Sequence, residues 1–413
     1  MPDVGAPAVL AHLPTEAGAA AVRDGDRTIV AVAPDEVRHA SGPAAFDALE
    51  HVASGGFWVG FCTYDLGRSV ERVHPRAHDD LCLPDVAFAR YDARLVLTPG
   101  APPRVEGVGP AAELLARAAW NAQRGAAWPA PVTLGPWTTS LDRDEHRAAV
   151  ARVLGLLRAG ECYQVNLTRR LRAPQPADAV ALYHALRRAN PAPHLALCTF
   201  GPALPDVAVV SASPELFLRT DGRRVVTRPI KGTDADPTRL AASAKDHAEN
   251  VMIVDLARND LGRVCEFGSV QVTELCALEA HPGLHHLVST VEGRLRADVG
   301  FADLVRATFP PASVTGAPKP RVMQAIEDLE PVRRGVYCGA VGWVDGDRAR
   351  AELAVAIRTF TIAAGATHLG VGGGIVADSR ADAEWEETEP KSARLLAAAS
   401  TRARRAGASW AGP

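Results

Sequence analysis

One lysine and two pairs of acids are the residues most capable of chemistry in this chain. Lys231 stands in Arg228-Pro229-Ile230-Lys231-Gly232-Thr233, between the apolar segment Arg224–Thr227 and a Gly-Thr pair read as a turn. An amine carried into a dry pocket loses its proton near neutral pH and becomes a nucleophile or base, whereas at an exposed strand end it is only a solvated charge. The acids are Asp246 with Glu249, and Glu384 with Glu387. In a helix, a spacing of i, i+3 puts both carboxylates of a pair on one face, and Lys391 joins Glu387 at i+4. Apart, the pairs are solvated helix faces. Brought together, they form an oxygen-rich site for a hard cation such as Mg²⁺, which takes one or two protein carboxylates, waters and an anionic substrate group.

Other candidates stand at element ends. Arg358 closes the apolar run Leu353–Ile357 and needs either an acidic partner or a bound carboxylate. Glu215 follows Ser213-Pro214 at the mouth of a strand; burial there would raise its pKa and make it a proton donor, while exposure would leave an ordinary loop acid. His286, beside His285, reads as a core or orienting histidine. Gly372, Gly373 and Gly374 offer backbone N–H groups that an anion could approach without side-chain obstruction, or else form a glycine-rich turn.

The elements that must position these residues follow from periodicity. Apolar spacing predicts helices over Asp142–Arg158, Ala177–Asn190, Pro237–Val264, Phe301–Thr308, Pro318–Leu329 and Ala381–Arg405. Strands are expected at Val207–Ser211, Leu216–Arg219, Arg224–Thr227, Val270–Glu274, His286–Gly293, Gly335–Val344, Ala351–Ile362 and His368–Ala377. Strands outnumber helices and come in adjacent pairs, which implies antiparallel or mixed sheets covered by helices, not a doubly wound parallel sheet. Proline and glycine cluster at 99–110 and again at 124–136; the second cluster is the expected linker.

Composition narrows the class. With 47% hydrophobic and 23% charged residues and a net charge of −3, the 413-residue chain gives no reason to expect nucleic acid or an anionic membrane as partner. The first 22 residues lack a basic leader and carry Asp3 and Glu16, and no segment reads as a bilayer span. Seven scattered cysteines without a CxxC pair indicate neither a disulfide framework nor a zinc site, and fit a reducing cytoplasm. Gly370–Ile375 departs from the dinucleotide fingerprint at its third glycine, and Lys231-Gly232-Thr233 inverts the order of a phosphate loop.

Nine segments, in one unbroken order, resemble the chorismate-utilising enzymes. They are Gly160–Leu167, Ser213-Pro214-Glu215, Pro229–Thr233, Glu249–Asp260, His286–Ser289, Thr315–Lys319, Ala356–Thr359, Gly372–Ser379 and Glu384–Lys391. Gly55–Phe61 and Tyr64–Arg68 resemble the family's N-terminal part more loosely. The resemblance implies an α+β fold of two large, mostly antiparallel sheets packed face to face and covered by helices. It implies an N-terminal region over 1–135 packing into the same sandwich, a chorismate-binding region over 136–405, and a disordered tail over 406–413. Where isochorismate and salicylate synthases carry a water-activating lysine, this chain has Gln164. Where anthranilate synthases have alanine, it has Lys231, which resembles the branch that aminates chorismate at C4 to give 4-amino-4-deoxychorismate. The alternatives are an anthranilate-forming enzyme and an inactive chorismate-binding regulatory subunit.

Roles are implied by the same resemblance. Glu249 and Glu387 would be the principal Mg²⁺ ligands, with Asp246 and Glu384 close by, and Lys391 would order them. Arg358, Tyr337, Thr233 and the N–H groups around Gly372, Gly373 and Gly374 would hold the substrate. Glu215 would protonate the leaving hydroxyl, Lys231 would attack C2, and His286 would orient. No cysteine lies in a Gly-x-Cys-x-Gly elbow, so ammonia would come from a separate glutamine amidotransferase subunit.

Overall fold

The computed structural model describes residues 5–125, 128–281 and 284–400. Among these residues, eleven strands form one sheet and ten form another. Every strand pairing is antiparallel. The first sheet runs Gly316–Ala317, Gln164–Ala173, Ala366–Ile375, Thr359–Ala363, Ala208–Ser213, His194–Thr199, Ala19–Asp24, Arg27–Val32, Arg94–Leu97 and Arg104–Glu106, with Thr138–Thr139 beside Gln164–Ala173. The second runs Ile230–Asp234, Leu284–Arg294, Arg224–Arg228, Leu216–Asp221, Arg350–Val355, Ala340–Asp345, Phe57–Cys62, Val86–Tyr91 and Glu36–Ala40, with Gln271–His281 beside Leu284–Arg294.

The two-residue period of a strand explains how the sheets stack. Ala20, Val22, Ala196 and Cys198 of the first sheet share a buried cluster with Val59, Phe61, Ala87 and Ala89 of the second. Their chain neighbours point the other way. Ala21, Leu195 and Leu197 pack with Leu115, Leu182 and Leu395 from helices Pro110–Arg124, Ala179–Ala189 and Ala381–Ala399. Trp58 and Phe88 pack with Leu49, Val153, Leu261 and Leu304 from helices Ala44–Ala53, Arg143–Arg158, Ala244–Gly262 and Phe301–Thr308. The central strands thus have two apolar faces, one toward the other sheet and one toward a helical layer. The result is an α+β sandwich with helices on both outer faces.

Both sheets draw strands from either side of residue 135. The predicted tail over 406–413 and the predicted end of the last helix at Arg405 lie outside the described residues.

Three predicted elements are divided differently. The helix expected over Pro237–Val264 is two, Pro237–Ala241 and Ala244–Gly262, because Ser243 caps the second by accepting from Asp246 N–H. The strand expected over Ala351–Ile362 breaks between Val355 and Thr359, where Arg358 takes φ +51°, and its halves belong to different sheets. The strand expected from Gly335 begins only at Ala340, after Cys338 at φ +65°.

Candidate active site

Lys231 lies on a strand, not at a turn. Ile230–Asp234 pairs with Leu284–Arg294, placing Thr233 opposite His286. Gly232 permits this because it takes φ +89° and because a Cβ there would come 2.9 Å from Asp246 Cβ. Helix Ala244–Gly262 is locked onto the same strands through Asn250, which donates to Leu287 O at 3.0 Å and accepts from the Ser289 hydroxyl. Lys231 therefore projects from the edge of the second sheet toward the glycine strand of the first. A Cβ on Gly374 would sit 3.5 Å from Lys231 Nζ and 2.3 Å from Gln164 Nε2.

Among the described residues, the Lys231 amine forms neither a hydrogen bond nor an ion pair. Burial pushes its pKa down, opposed by the charges of Glu249 and Glu215. Glu215 is 4% exposed. Burial drives its carboxyl up to about 7, against the Ser313 hydroxyl, Lys231, the Ile230 backbone and Arg358. Its own N–H is held by Ser213 Oγ, which also donates to Val355 O at 2.6 Å. A carboxyl pushed up to about 7 near an amine whose pKa is pushed down is the arrangement an acid–nucleophile pair needs.

The two acidic helices bring their carboxylates within electrostatic reach of each other. Glu249 is raised by burial, opposed by Lys231 and Lys245, and raised further by Asp246 and Glu387. Buried Glu384 is also raised, chiefly by desolvation and in part by Glu387. For Glu387, burial is outweighed by Lys391, and its pKa falls. Lys391 Nζ donates to Glu387 Oε1 at 2.7 Å and to Gly372 O at 3.1 Å, so it ties helix Ala381–Ala399 to the glycine strand. A Cβ on Gly373 would lie 3.6 to 3.7 Å from Glu384 Oε2, Glu387 Oε1 and Lys391 Nζ. Among the described residues, no three His, Cys, Asp or Glu side chains converge closely enough to cage an ion by themselves. Hard oxygen donors near enough that Glu387 raises the pKa of both Glu249 and Glu384 still fit Mg²⁺, which needs few protein ligands and relieves that repulsion.

Arg358 forms no ion pair among the described residues, so its side of the sequence alternative is the one that leaves a guanidinium for a ligand. Burial and Arg394 lower its pKa, against Glu215. His286 is 1% exposed and held down to about 4 by burial and by the charge of Arg358, hence neutral. Its Nδ1 shares a 2.7 Å hydrogen bond with Thr233 Oγ1, and among the described residues its Nε2 has no partner. Thr233 is exposed and serves His286. Tyr337 packs its ring against Gly370, where an added Cβ would lie 2.1 Å away, two residues before Gly372.

Two contributors were not read from the sequence. Lys245 lies 3.8 Å from Glu249 and faces the acids; its i, i+4 spacing from Glu249 was visible but unused. Gln164 was noticed only as a branch marker. It is fully buried, and neither atom of its amide has a partner among the described residues. Its strand, Gln164–Ala173, was not predicted because Asn166, Thr168, Arg169 and Arg170 mask the apolar alternation.

Comparison with known proteins agrees with this geometry. A family model described as chorismate binding enzyme matches residues 11–397, further toward the N-terminus than the nine segments reach. Aminodeoxychorismate synthase component 1 of Klebsiella aerogenes is 42% identical over 359 residues, covering 84% of this chain and 78% of that protein. Anthranilate synthase component 1 of Thermus thermophilus is 40% identical over 367 residues, covering 82% and 76%. The crystal structure of anthranilate synthase component I from Streptococcus pneumoniae superposes with a TM-score of 0.79 at 28% identity, covering 90% of this chain and 92% of that one. MenF, the menaquinone-specific isochorismate synthase of Escherichia coli, shares the fold at a TM-score of 0.74 and 18% identity. On the sequence match, the sandwich and the convergence of Lys231, Glu215 and the paired acids, the chain belongs to the family of chorismate binding enzymes.

Proposed function

We propose that this enzyme aminates chorismate at C4 with ammonia, giving 4-amino-4-deoxychorismate for p-aminobenzoate and folate synthesis. The observation that carries this reading is the Lys231 amine, without a hydrogen bond or ion pair among the described residues, near Glu215, whose carboxyl burial pushes up to about 7. Loss of the C4 hydroxyl is hard because hydroxide leaves poorly. Glu215 donates its proton to that oxygen, which departs as water. Neutral Lys231 bonds to C2 as the ring double bonds shift, so one difficult displacement becomes two easier ones. Ammonia then adds at C4, the double bonds return, and the lysine leaves with its electron pair. The proton released from the new C4 ammonium can return to the Glu215 carboxylate.

Glu249 and Glu387, with Asp246 and Glu384 behind them, would hold Mg²⁺, which when bound neutralises the ring carboxylate among these acids. Arg358 and the N–H groups around Gly372 and Gly374 hold the second carboxylate, and neutral His286 donates or accepts without adding charge. Ammonia comes from a separate glutamine amidotransferase subunit, as the "component 1" in the names of the relatives suggests. Cytoplasmic location fits such a partnership; among the described residues no helix is long and apolar enough to cross a membrane.

The test is to incubate the chain with chorismate, Mg²⁺ and ammonium salt without any lyase and to identify the product by mass spectrometry. 4-Amino-4-deoxychorismate is expected. Fluorescent anthranilate would overturn the reading in favour of the anthranilate branch, and binding without turnover would make the chain a regulatory subunit.

A further inference from the structure

Helix Ala381–Ala399 carries Glu384, Glu387 and Lys391, yet it is poorly secured by its own backbone. Its N-cap, Arg380, makes no side-chain capping bond, and Pro390 lies inside it. Proline has no N–H, so the Glu386 carbonyl lacks its helical donor, between Glu387 and Lys391. One side chain from the neighbouring strand grips this turn from behind. Arg169, 5% exposed, stands on Gln164–Ala173 opposite Val371, next to the glycine strand. Its Nε and Nη2 donate to Thr388 Oγ1 at 3.3 and 2.9 Å, and Nη2 also donates to Glu389 Oε1 at 2.5 Å. The guanidinium lies 4.1 Å from the centre of the Trp385 ring, which also stands in a T-shaped contact with buried His146 at 5.5 Å. Thr388 Oγ1 passes the connection on by donating to Trp385 O at 2.8 Å.

One guanidinium thus touches residues 385, 388 and 389, the back of the turn whose front presents 384, 387 and 391. We propose that Arg169 is the positioning residue of the acidic helix: it fixes the proline-weakened turn so that Glu384 and Glu387 are presented toward Glu249. The fork matters as well as the charge. A lysine can satisfy Glu389 but cannot also bond Thr388 twice and lie flat on Trp385. This inference rests on the acids being the Mg²⁺ site.

The experiment titrates the full chain with Mg²⁺ by calorimetry, for wild type, Arg169→Lys, Thr388→Val and Glu387→Gln. Metal-free melting temperatures are measured alongside, and initial rates against Mg²⁺. Loss of an outer partner of a metal ligand lowers metal affinity by about 10–100-fold. Arg169→Lys should show that loss, with a raised apparent KM for Mg²⁺ and kcat largely restored at saturation. Thr388→Val should shift affinity in the same direction by less, and it covers the case in which the arginine variant does not fold. A lower melting temperature with unchanged Mg²⁺ affinity in both variants would reduce Arg169 to a structural tie and overturn the proposal. If Glu387→Gln binds Mg²⁺ as wild type does, the acids are not the metal site, and the functional reading falls first.

Discussion

Two lysines in this molecule, one buried and one half-buried, have opposite settings. Lys319, 8% exposed, donates to Asp260 Oδ2 at 2.6 Å and to Thr308 O at 2.8 Å. Lys231, on the edge strand, has acidic neighbours but no bonded partner among the described residues. Burial lowers the pKa of both. At Lys319 a carboxylate in contact holds the proton and joins helices Ala244–Gly262 and Lys319–Leu329. At Lys231 no carboxylate comes within ion-pair distance among the described residues, so desolvation is not answered by a hydrogen bond. Contact with a carboxylate and deeper burial distinguish Lys319 from Lys231, and the proposed nucleophilic role of Lys231 rests on that difference.

The largest test of this contrast exchanges the two by truncation. Lys231→Ala should abolish amination in ammonium buffer while leaving the denaturation midpoint close to wild type. Lys319→Ala should do the reverse: removing one partner of a buried pair costs about 3–5 kcal/mol of stability, read by urea unfolding, with turnover per folded molecule retained. Equal loss of activity in both variants would erase the distinction. Next in size, Glu215→Gln should lower kcat by about 10²–10⁴-fold, the usual contribution of a positioned general acid. The pH profile sharpens this point. Glu215 acts when protonated and is pushed up to about 7, so kcat/KM should fall as pH rises through about 7, and that limb should vanish in Glu215→Gln. The lowered pKa of Lys231 opposes it, since the amine acts when neutral and gains activity as pH rises. The smallest effect is expected of Thr233→Val, which frees His286 Nδ1 and should change kcat/KM by a few-fold without moving either limb.

The sequence exposed the components of the site better than their arrangement. Lys231, the acidic pairs and Glu215 were legible because each breaks a local expectation: a charge beside an apolar strand, or acids repeated on one helix face. The antiparallel architecture was legible from paired apolar runs. What was hidden depends on contacts between distant segments. Gly232-Thr233 read as a turn because glycine usually ends a strand, yet here its missing side chain makes room for Asp246. The division at Arg358 was masked because residues 353–356 on one side and Phe360 and Ile362 on the other are all buried. The strand bearing Gln164 and Arg169 was masked because its polar side chains look to segments distant in sequence: Arg169 to the acidic helix, Arg170 to Asp80 and Arg333, while the Gln164 amide has no partner among the described residues.

The way the sheets are shared has a consequence for dividing the polypeptide. Phe57–Cys62 is zipped to Ala340–Asp345, and Ala19–Asp24 to His194–Thr199. Cleavage at the proline-rich connection near residue 130 would therefore not release an autonomous catalytic half. It would strip the later fragment of two neighbours in mid-sheet and leave long, greasy ladders open to any passing strand. The early segment is thus internal scaffolding for the reaction centre, and insertions meant to preserve activity belong in the connection, not in place of what precedes it.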